Sequence, residues 1–501
     1  MASAPVTEDV ATTNKEIVDV EIDSAGAATN QQFRLYPWRF AVVAGKIKVY
    51  QYLPTHPIII LHIFAPRKGI FLITFSNTMN FSTYGAVTPT VAQHYNTDTT
   101  TITSLNMWNL IAFFPAIYPA TWLLDTHGLR PALISAASIN AFGCFLRWIT
   151  VASSDPQTKI RLLYAGSALI GFSSPFTIDG ALITSTYTKA STKCAAHWFS
   201  GNGRLLANAV MSLGSPLGGA AGLFLSPALV SDAASAVDTL NLVYFVLAAV
   251  LGLASLAVFN APPTPPSESA RRGTVAFTAG LKLIAKNGPF WVLATVFTGV
   301  NSTFQLMSTY VSNYVTPYGF SESDSGNFGV VFAVVGIIGA LIIGAILDRT
   351  KGHIQSMKYL AAAMVLGSVG FYVGTVQYIG ALIYIAVTFL GGGALPLFSV
   401  SFELGAECTY PVAEATSTGI LMMVSQFVSI ILFVVTNALV DPTTNQLWRG
   451  MIILIVLAGM SFVMSLFYKT ENRRMVLENH AEMEREQFTL ATRTESAKIS
   501  S

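Results

Sequence analysis

The chain has 501 residues, of which 52% are hydrophobic and only 11% charged, with a formal net charge of +2. A soluble domain carries roughly a quarter charged residues, so the usual aqueous surface is missing and the expected solvent is a lipid bilayer. The near-neutral balance offers no field for nucleic acid, and Cys144, Cys194 and Cys408 stand far apart without a CxxC pattern or histidine cluster, which excludes a disulfide frame or zinc site.

Residues 1–33 are polar, carry no secretory signal, and are expected to form a disordered cytosolic tail. Residues 34–69 form a juxtamembrane segment. Within it, the apolar run "PIIILHIF" is too short to span. A spanning helix needs about 20 mostly apolar residues. The stretches that qualify are 70–92, 104–124, 129–152, 160–185, 204–230, 239–260, 289–315, 325–347, 356–376, 379–403, 412–439 and 447–468. The Pro-rich, then basic segment 261–288 divides these twelve into two sets of six.

Basic residues set the orientation. With the N-terminus inside, the inner loops hold Arg130, Lys189, Lys193, Arg204, Arg271, Arg272, Lys282, Lys286, Arg349, Lys351 and Lys358, whereas the outer links hold Lys159, Arg161 and Arg449. Both termini are therefore expected in the cytosol. One inner loop, 403–414, runs the other way and carries Glu403, Glu407 and Glu414. Arg147, late in the third span, is expected to snorkel to the outer interface beside Trp148.

Two stretches repeat a pattern. "FFPAIYPATWLLDTHGLRPALI" (113–134) stops its apolar run at Asp125, and "GALIIGAILDRTKG" (339–352) does the same at Asp348. These are equivalent corners of a 6+6 repeat, the inner ends of the second and eighth spans. A carboxylate at a helix end can pair with basic groups or a helix N-terminus of the neighbouring bundle when the inner side is shut. Candidate gating residues are Asp125, Arg130, Asp348, Arg349 and Lys351, with Glu403, Glu407 and Glu414 available to pair across the same face. Simple topological anchoring, or a solvated acidic loop, is the alternative. The pattern resembles the loop motif of the major facilitator superfamily, G-x-L-x-D-R-x-G-R, on Gly344, Asp348, Arg349 and Lys351, and in part on Asp125, Gly128 and Arg130. Parallel repeats of this kind imply the major facilitator fold: an all-α membrane protein with twelve transmembrane helices in two six-helix pseudo-symmetric bundles. The expected parts are an N-terminal bundle at 70–260, a cytosolic central loop at 261–288, a C-terminal bundle at 289–469 and a cytosolic tail at 470–501.

Three further stretches are similar to the family of feline leukaemia virus subgroup C receptor-related transporters: "RLYPWRF" (34–40), "YPATWLLDTHGLR" (118–130) and "SFELGAECTYPVAEATSTGIL" (401–421). The resemblance covers most of 34–470 and implies transport of choline-like quaternary amines; haem has also been assigned to that family. It places the family's first-helix aromatic on Phe81 and its eleventh-helix glutamine on Gln426. It places Gln305 where the family has an aromatic, and Pro216 on or beside the fifth-helix glutamine. Because the family runs directly from "RLYPWRFAVV" into "IFLITFSNTMN", the resemblance also implies that 44–69 is an insert and that a second surplus lies near 179–189; both fit unspliced or misannotated sequence or true lineage-specific inserts.

Carriers of this kind bind substrate near the midplane between the halves, where polar residues are expensive. Candidate substrate-binding residues are Asn80, Phe81, Tyr84, Trp108, Asn301, Gln305, Tyr310 and Gln426. Hydrogen-bond glue between helices is the alternative for each polar one, and packing for each aromatic. The small residues of "GSPLGGAAG" (214–222) are read as a close-packing stripe. No Asp or Glu is read inside spans 1, 2, 5, 7, 8 or 11, which favours facilitative movement over proton drive. The expected activity is alternating-access transport of a small organic solute by a monomer in the bilayer, with no catalytic residue, metal or cofactor. A haem carrier or a proton-coupled vitamin or metabolite carrier is the alternative, and a receptor or membrane enzyme is disfavoured.

Overall fold

The computed structural model of the protein describes residues 71–127, 129–176, 214–230, 236–253, 256, 277–350, 352–409, 412, 414–441 and 446–469. All lie within one unit, Leu53–Ser501. The expected tails, the segment 34–69 with its insert, the surplus near 179–189 and residues 261–276 of the central loop lie outside the described residues.

Among the described residues there is no strand. The first half contains α1 (71–81), α2 (Thr88–His94), α3 (Thr99–Thr126), α4 (Leu129–Trp148), α5 (Pro156–Ser174), α6 (Gly214–Val230) and α7 (Ala236–Gly252). The second contains α8 (Phe277–Ala285), α9 (Gly288–Val315), α10 (Glu322–Thr350), α11 (His353–Val376), α12 (Gly380–Thr409), α13 (Glu414–Ala438) and α14 (Trp448–Phe467). Among the described residues, six segments are long and apolar enough to cross a membrane: Arg130–Ala152, Glu322–Leu347, His353–Val376, Gly380–Thr409, Thr416–Ala438 and Trp448–Phe467. α3 and α9 have 28 residues each, about 42 Å at ~1.5 Å per residue, but their apolar runs are diluted by buried Asn, Ser, Thr and Gln. α9 is the central element. It packs against α12, α13 and α14 of its own half and touches α2 and α3 of the other.

The first span departs from the expected continuous helix at 70–92. It stops at 81, turns through 82–87, and resumes as α2. Local chemistry explains the break. Thr83 turns its hydroxyl back onto the Asn80 carbonyl (2.9 Å), a side-chain bond that competes with the helical ladder. Pro89 has no N–H to give to the Gly85 carbonyl four residues earlier. That carbonyl instead accepts from the backbone N–H of Ser312 in α9 (3.2 Å). Gly85 lies so close to the Ser308 carbonyl that a Cβ would collide with it.

The stripe on α6 behaves as its spacing implies. A Cβ on Gly214, Gly218 or Gly222 would strike the carbonyl of Phe71, Phe75 or Met79 in turn, so α6 lies directly on the α1 backbone. α12 runs six residues beyond its expected end at 403, to Thr409. Glu403 and Glu407 are therefore helical, a correction to the reading of 403–414 as a loop. Asn287 caps α9 by accepting from Phe290 N–H (3.2 Å) and donates from its amide to the Cys408 carbonyl (2.7 Å), which ties the two helix ends together. Asp155 caps α5. It accepts from the Thr158 hydroxyl (2.6 Å) and from the N–H groups of Thr158 (3.0 Å) and Gln157 (3.3 Å). The two Thr158 bonds above all hold its carboxyl below the usual range.

Candidate functional site

Three of the sequence-derived residues lie in one polar seam around the middle of α9. Gln305 donates its amide to Gln426 Oε1 of α13 (3.1 Å), and one turn away Asn301 donates to the Ser425 hydroxyl (3.0 Å). Ser302 and Ser429 extend the seam at 2.9 Å. Phe81, Met107 and Phe304 are half-buried against the same core, from α1, α3 and α9 respectively. Phe304 is not among the sequence candidates. It sits 3.6 Å from the Cβ direction of Gly219 in α6, which brings a fifth helix to this region. The "NSTFQ" stretch that supplies Asn301 and Gln305 is the available signal for it. The seam contains amides, hydroxyls and apolar rings, all uncharged.

The other candidates point elsewhere. Asn80 and Tyr84 turn into the first-half core. Asn80 shares Asn140 Oδ1 at 3.4 Å, and the Tyr84 hydroxyl donates to Asn241 (2.7 Å). Tyr84 presents its ring face to the Arg147 guanidinium, 5.0 Å from the centroid. Trp108 is exposed and leans on Tyr164. Tyr310 is buried, with its hydroxyl on Asn437 (2.8 Å). Arg147 does not snorkel. It is 3% exposed and faces inward, because Ser167 and the Asn80 carbonyl take its N–H groups.

The described hydrogen bonds between the halves gather at one end of the bundle, while apolar contact continues along α3 and α13 to Phe113, Ile117 and Met423. Thr90 donates both its backbone N–H (2.9 Å) and its hydroxyl (2.8 Å) to the carboxylate of Glu322 at the start of α10. Asn106 of α3 donates to Thr309 of α9 (2.9 Å), and Thr103 donates to Asn437 (2.8 Å), which Tyr310 also reaches. The Gly85–Ser312 backbone bond joins the same set. A groove of about 730 Å³ lies here, lined in part by Thr90, Phe224, Asn313, Phe320, Glu322 and Asn327. Starting the eighth span at 325 leaves Glu322 out of the sequence reading. The signal is present in "SESD", where Ser321 and Asp324 exchange backbone and side-chain bonds at 3.0 Å as a capping box and start the helix at Glu322.

The opposite end of α10 carries apolar side chains that the described residues do not cover. Leu341, Ile342 and Ile346 are each about half exposed (53%, 55% and 46%), and no described atom lies within 4 Å of a Cβ built on Gly344. The side chains of Asp125, Asp348, Arg349 and Glu414, and all of Lys351, fall outside the described residues. Arg130 is exposed and Glu403 half-buried. Glu407 is buried, and its Oε2 has no hydrogen-bond partner among the described residues.

Stacked apolar helices, a polar seam midway along them and hydrogen bonds between halves at one end define a membrane carrier fold. The sequence profile of the Major Facilitator Superfamily matches residues 70–431, and the chain belongs to that family. Among curated relatives, solute carrier family 49 member A3 of Danio rerio is 29% identical, over 81% of this chain and 86% of its own. Choline/ethanolamine transporter flvcr2a of Danio rerio is 27% identical over 81% of this chain and 87% of its own, and choline/ethanolamine transporter FLVCR1 of Felis catus 26% over 81% and 74%. Among solved structures, a D-xylose-proton symporter superposes with a TM-score of 0.60 at 11% identity, over 82% of this chain and 97% of its own. A nucleoside transporter, NupG, gives 0.56 at 13% identity, over 80% and 98%. These two likenesses are of fold.

Proposed function

We propose that the chain is a twelve-helix carrier that moves a small organic solute, a choline-like amine or a related metabolite, by facilitative alternating access between two six-helix bundles. The observation that carries this reading is the set of hydrogen bonds that joins the halves at the Glu322 end of α10, one end of the bundle. That is the arrangement of a carrier shut on one side of its central seam. With both termini cytosolic, the shut side faces away from the cytosol, and Asp125, Arg130, Asp348, Arg349 and Lys351, with Glu403, Glu407 and Glu414, form the gate that closes in the other half of the cycle. Substrate is held at the seam by the Phe81 ring and the amides of Gln305 and Gln426. A desolvated aromatic contact supplies roughly 2 kcal/mol to a quaternary ammonium, and the amide oxygens orient it. The relatives, choline/ethanolamine transporters among them, support the substrate class.

The Glu322 carboxylate favours a second reading, in which movement is coupled to protons. It lies between the halves and is held only by Thr90 in the described bonds, a position where protonation changes the strength of closure. One experiment separates the two: uptake of labelled choline by vesicles holding the purified protein, with and without an imposed pH gradient. Equilibration at the same level in both conditions is expected. Uphill accumulation that follows the gradient, and that Glu322→Gln abolishes, would overturn the facilitative reading in favour of coupling.

A further inference from the structure

Arg147 ends α4 inside the first-half bundle, buried, and no carboxylate pairs with it among the described residues. A guanidinium at such a position is costly and needs a reason. Its partners are all neutral. Nε and Nη2 both donate to the Ser167 hydroxyl of α5 (3.2 and 2.8 Å), Nη1 donates to the Asn80 carbonyl (2.9 Å), and the plane faces the Tyr84 ring. The gap bounded by Asn80, Thr83, Cys144, Arg147, Asn241 and Tyr244 is too narrow for a water molecule. It has no room for an anion, so the charge acts on the protein itself.

The partners reveal on what. Asn80 lies one residue before the end of α1, where the ladder stops and carbonyls lose their helical donors. Those carbonyls carry the negative end of the helix dipole, and a cation there is stabilising. Tyr84 lies inside the break, one residue before the glycine that docks on α9. Arg147 also lends its own carbonyl to Asn241, the residue that receives the Tyr84 hydroxyl.

We propose that Arg147 is a positioning residue that fixes the break in helix 1. It holds the Asn80 carbonyl and the Tyr84 ring so that Gly85 meets Ser312, α2 meets Glu322, and Phe81 stays against the α9 core. The consequence for substrate rests on the carrier reading; the structural assignment does not.

The test needs no substrate. Cysteines at Thr90→Cys and Glu322→Cys report whether α2 is in register, through a short thiol crosslink in the full chain. A protease site in the 261–276 loop lets joined halves be counted against a control lacking the pair. Arg147→Met is expected to lower the crosslinked fraction about tenfold, the scale of a lost charged hydrogen bond. Arg147→Lys, which keeps a cation near the Asn80 carbonyl, restores most of it. Ser226→Ala, which loosens the same bundle at the Tyr244 hydroxyl (2.7 Å) without removing any described bond to Asn80 or Tyr84, leaves it unchanged. Full crosslinking in Arg147→Met overturns the proposal, and so does an equal loss in Ser226→Ala. If Arg147→Met cannot be purified, Arg147→Gln takes its place, and crosslinking equal to wild type overturns the proposal in the same way. Failure of choline uptake would instead sink the functional reading and leave this assignment standing.

Discussion

The two halves bury polar side chains in different ways. Around Arg147 the first half builds a network that closes on itself: Asn241 alone accepts from Tyr84 and donates to Tyr95 (3.1 Å) and to the Arg147 carbonyl (3.3 Å). Along α9 the second half uses simple pairs, Asn301 with Ser425 and Gln305 with Gln426, and the last pair is part-buried. A dense network has little to offer a ligand, because most of its donors and acceptors are already spent, with Asn80 Oδ1 left over among the described residues. A neutral pair can open, with each amide exchanging its partner for a solute at small cost. Buried polarity alone therefore does not mark a binding site; the distinction lies in whether the partners are replaceable.

The largest effect expected from this contrast is in the first half. Asn241→Leu removes three hydrogen bonds, roughly 2 kcal/mol at ~0.6 kcal/mol each in lipid. It should lower the melting temperature clearly and leave any choline-induced shift in place. Gln426→Leu removes one bond and should cost only about 0.6 kcal/mol, yet erase the choline-induced shift. Equal destabilisation by the two, with the ligand shift kept in Gln426→Leu, would break the distinction and make the α9 seam structural. The smallest effect lies outside both regions and serves as a reference. Asp155 is exposed, and its folded pKa is depressed. Its contribution is present above the unfolded carboxylate value of about 3.9 and is lost as pH falls through the lower folded value. Melting followed down into that acid range should show a slight extra loss that Asp155→Ala lacks. An identical acid profile in the variant would remove the cap from the account.

Much of the scaffold is legible in the sequence. The seventh span, expected at 289–315, forms Gly288–Val315, because a long run with Asn287 ahead and Pro289 at its start has clear local signals. The glycine stripe on α6 is legible for a similar reason, since spacing of four is a helix face. What escapes is set by competition. The helix-1 break depends on Pro89 and Thr83 acting on carbonyls four and three residues back, inside a stretch apolar enough to pass as one span. Arg147 sits near a span end, where snorkelling is the cheap solution; only the fold shows that Ser167 and Asn80 are within its reach. Among the site candidates, side-chain direction decides. Asn80 and Phe81 are neighbours in sequence, yet one faces the Arg147 network and the other the α9 core.

The glycine stripe has a mechanical consequence. At the three glycines α6 rides directly on α1 carbonyls, and Thr78 donates to the Ser215 hydroxyl between them (3.1 Å), so any shear would drive carbonyls into Cα atoms. They form a strut. If the halves rock as proposed, bending is displaced to the six residues 82–87, where the regular helix is interrupted, and the short helix beyond them is the lever that the strut swings.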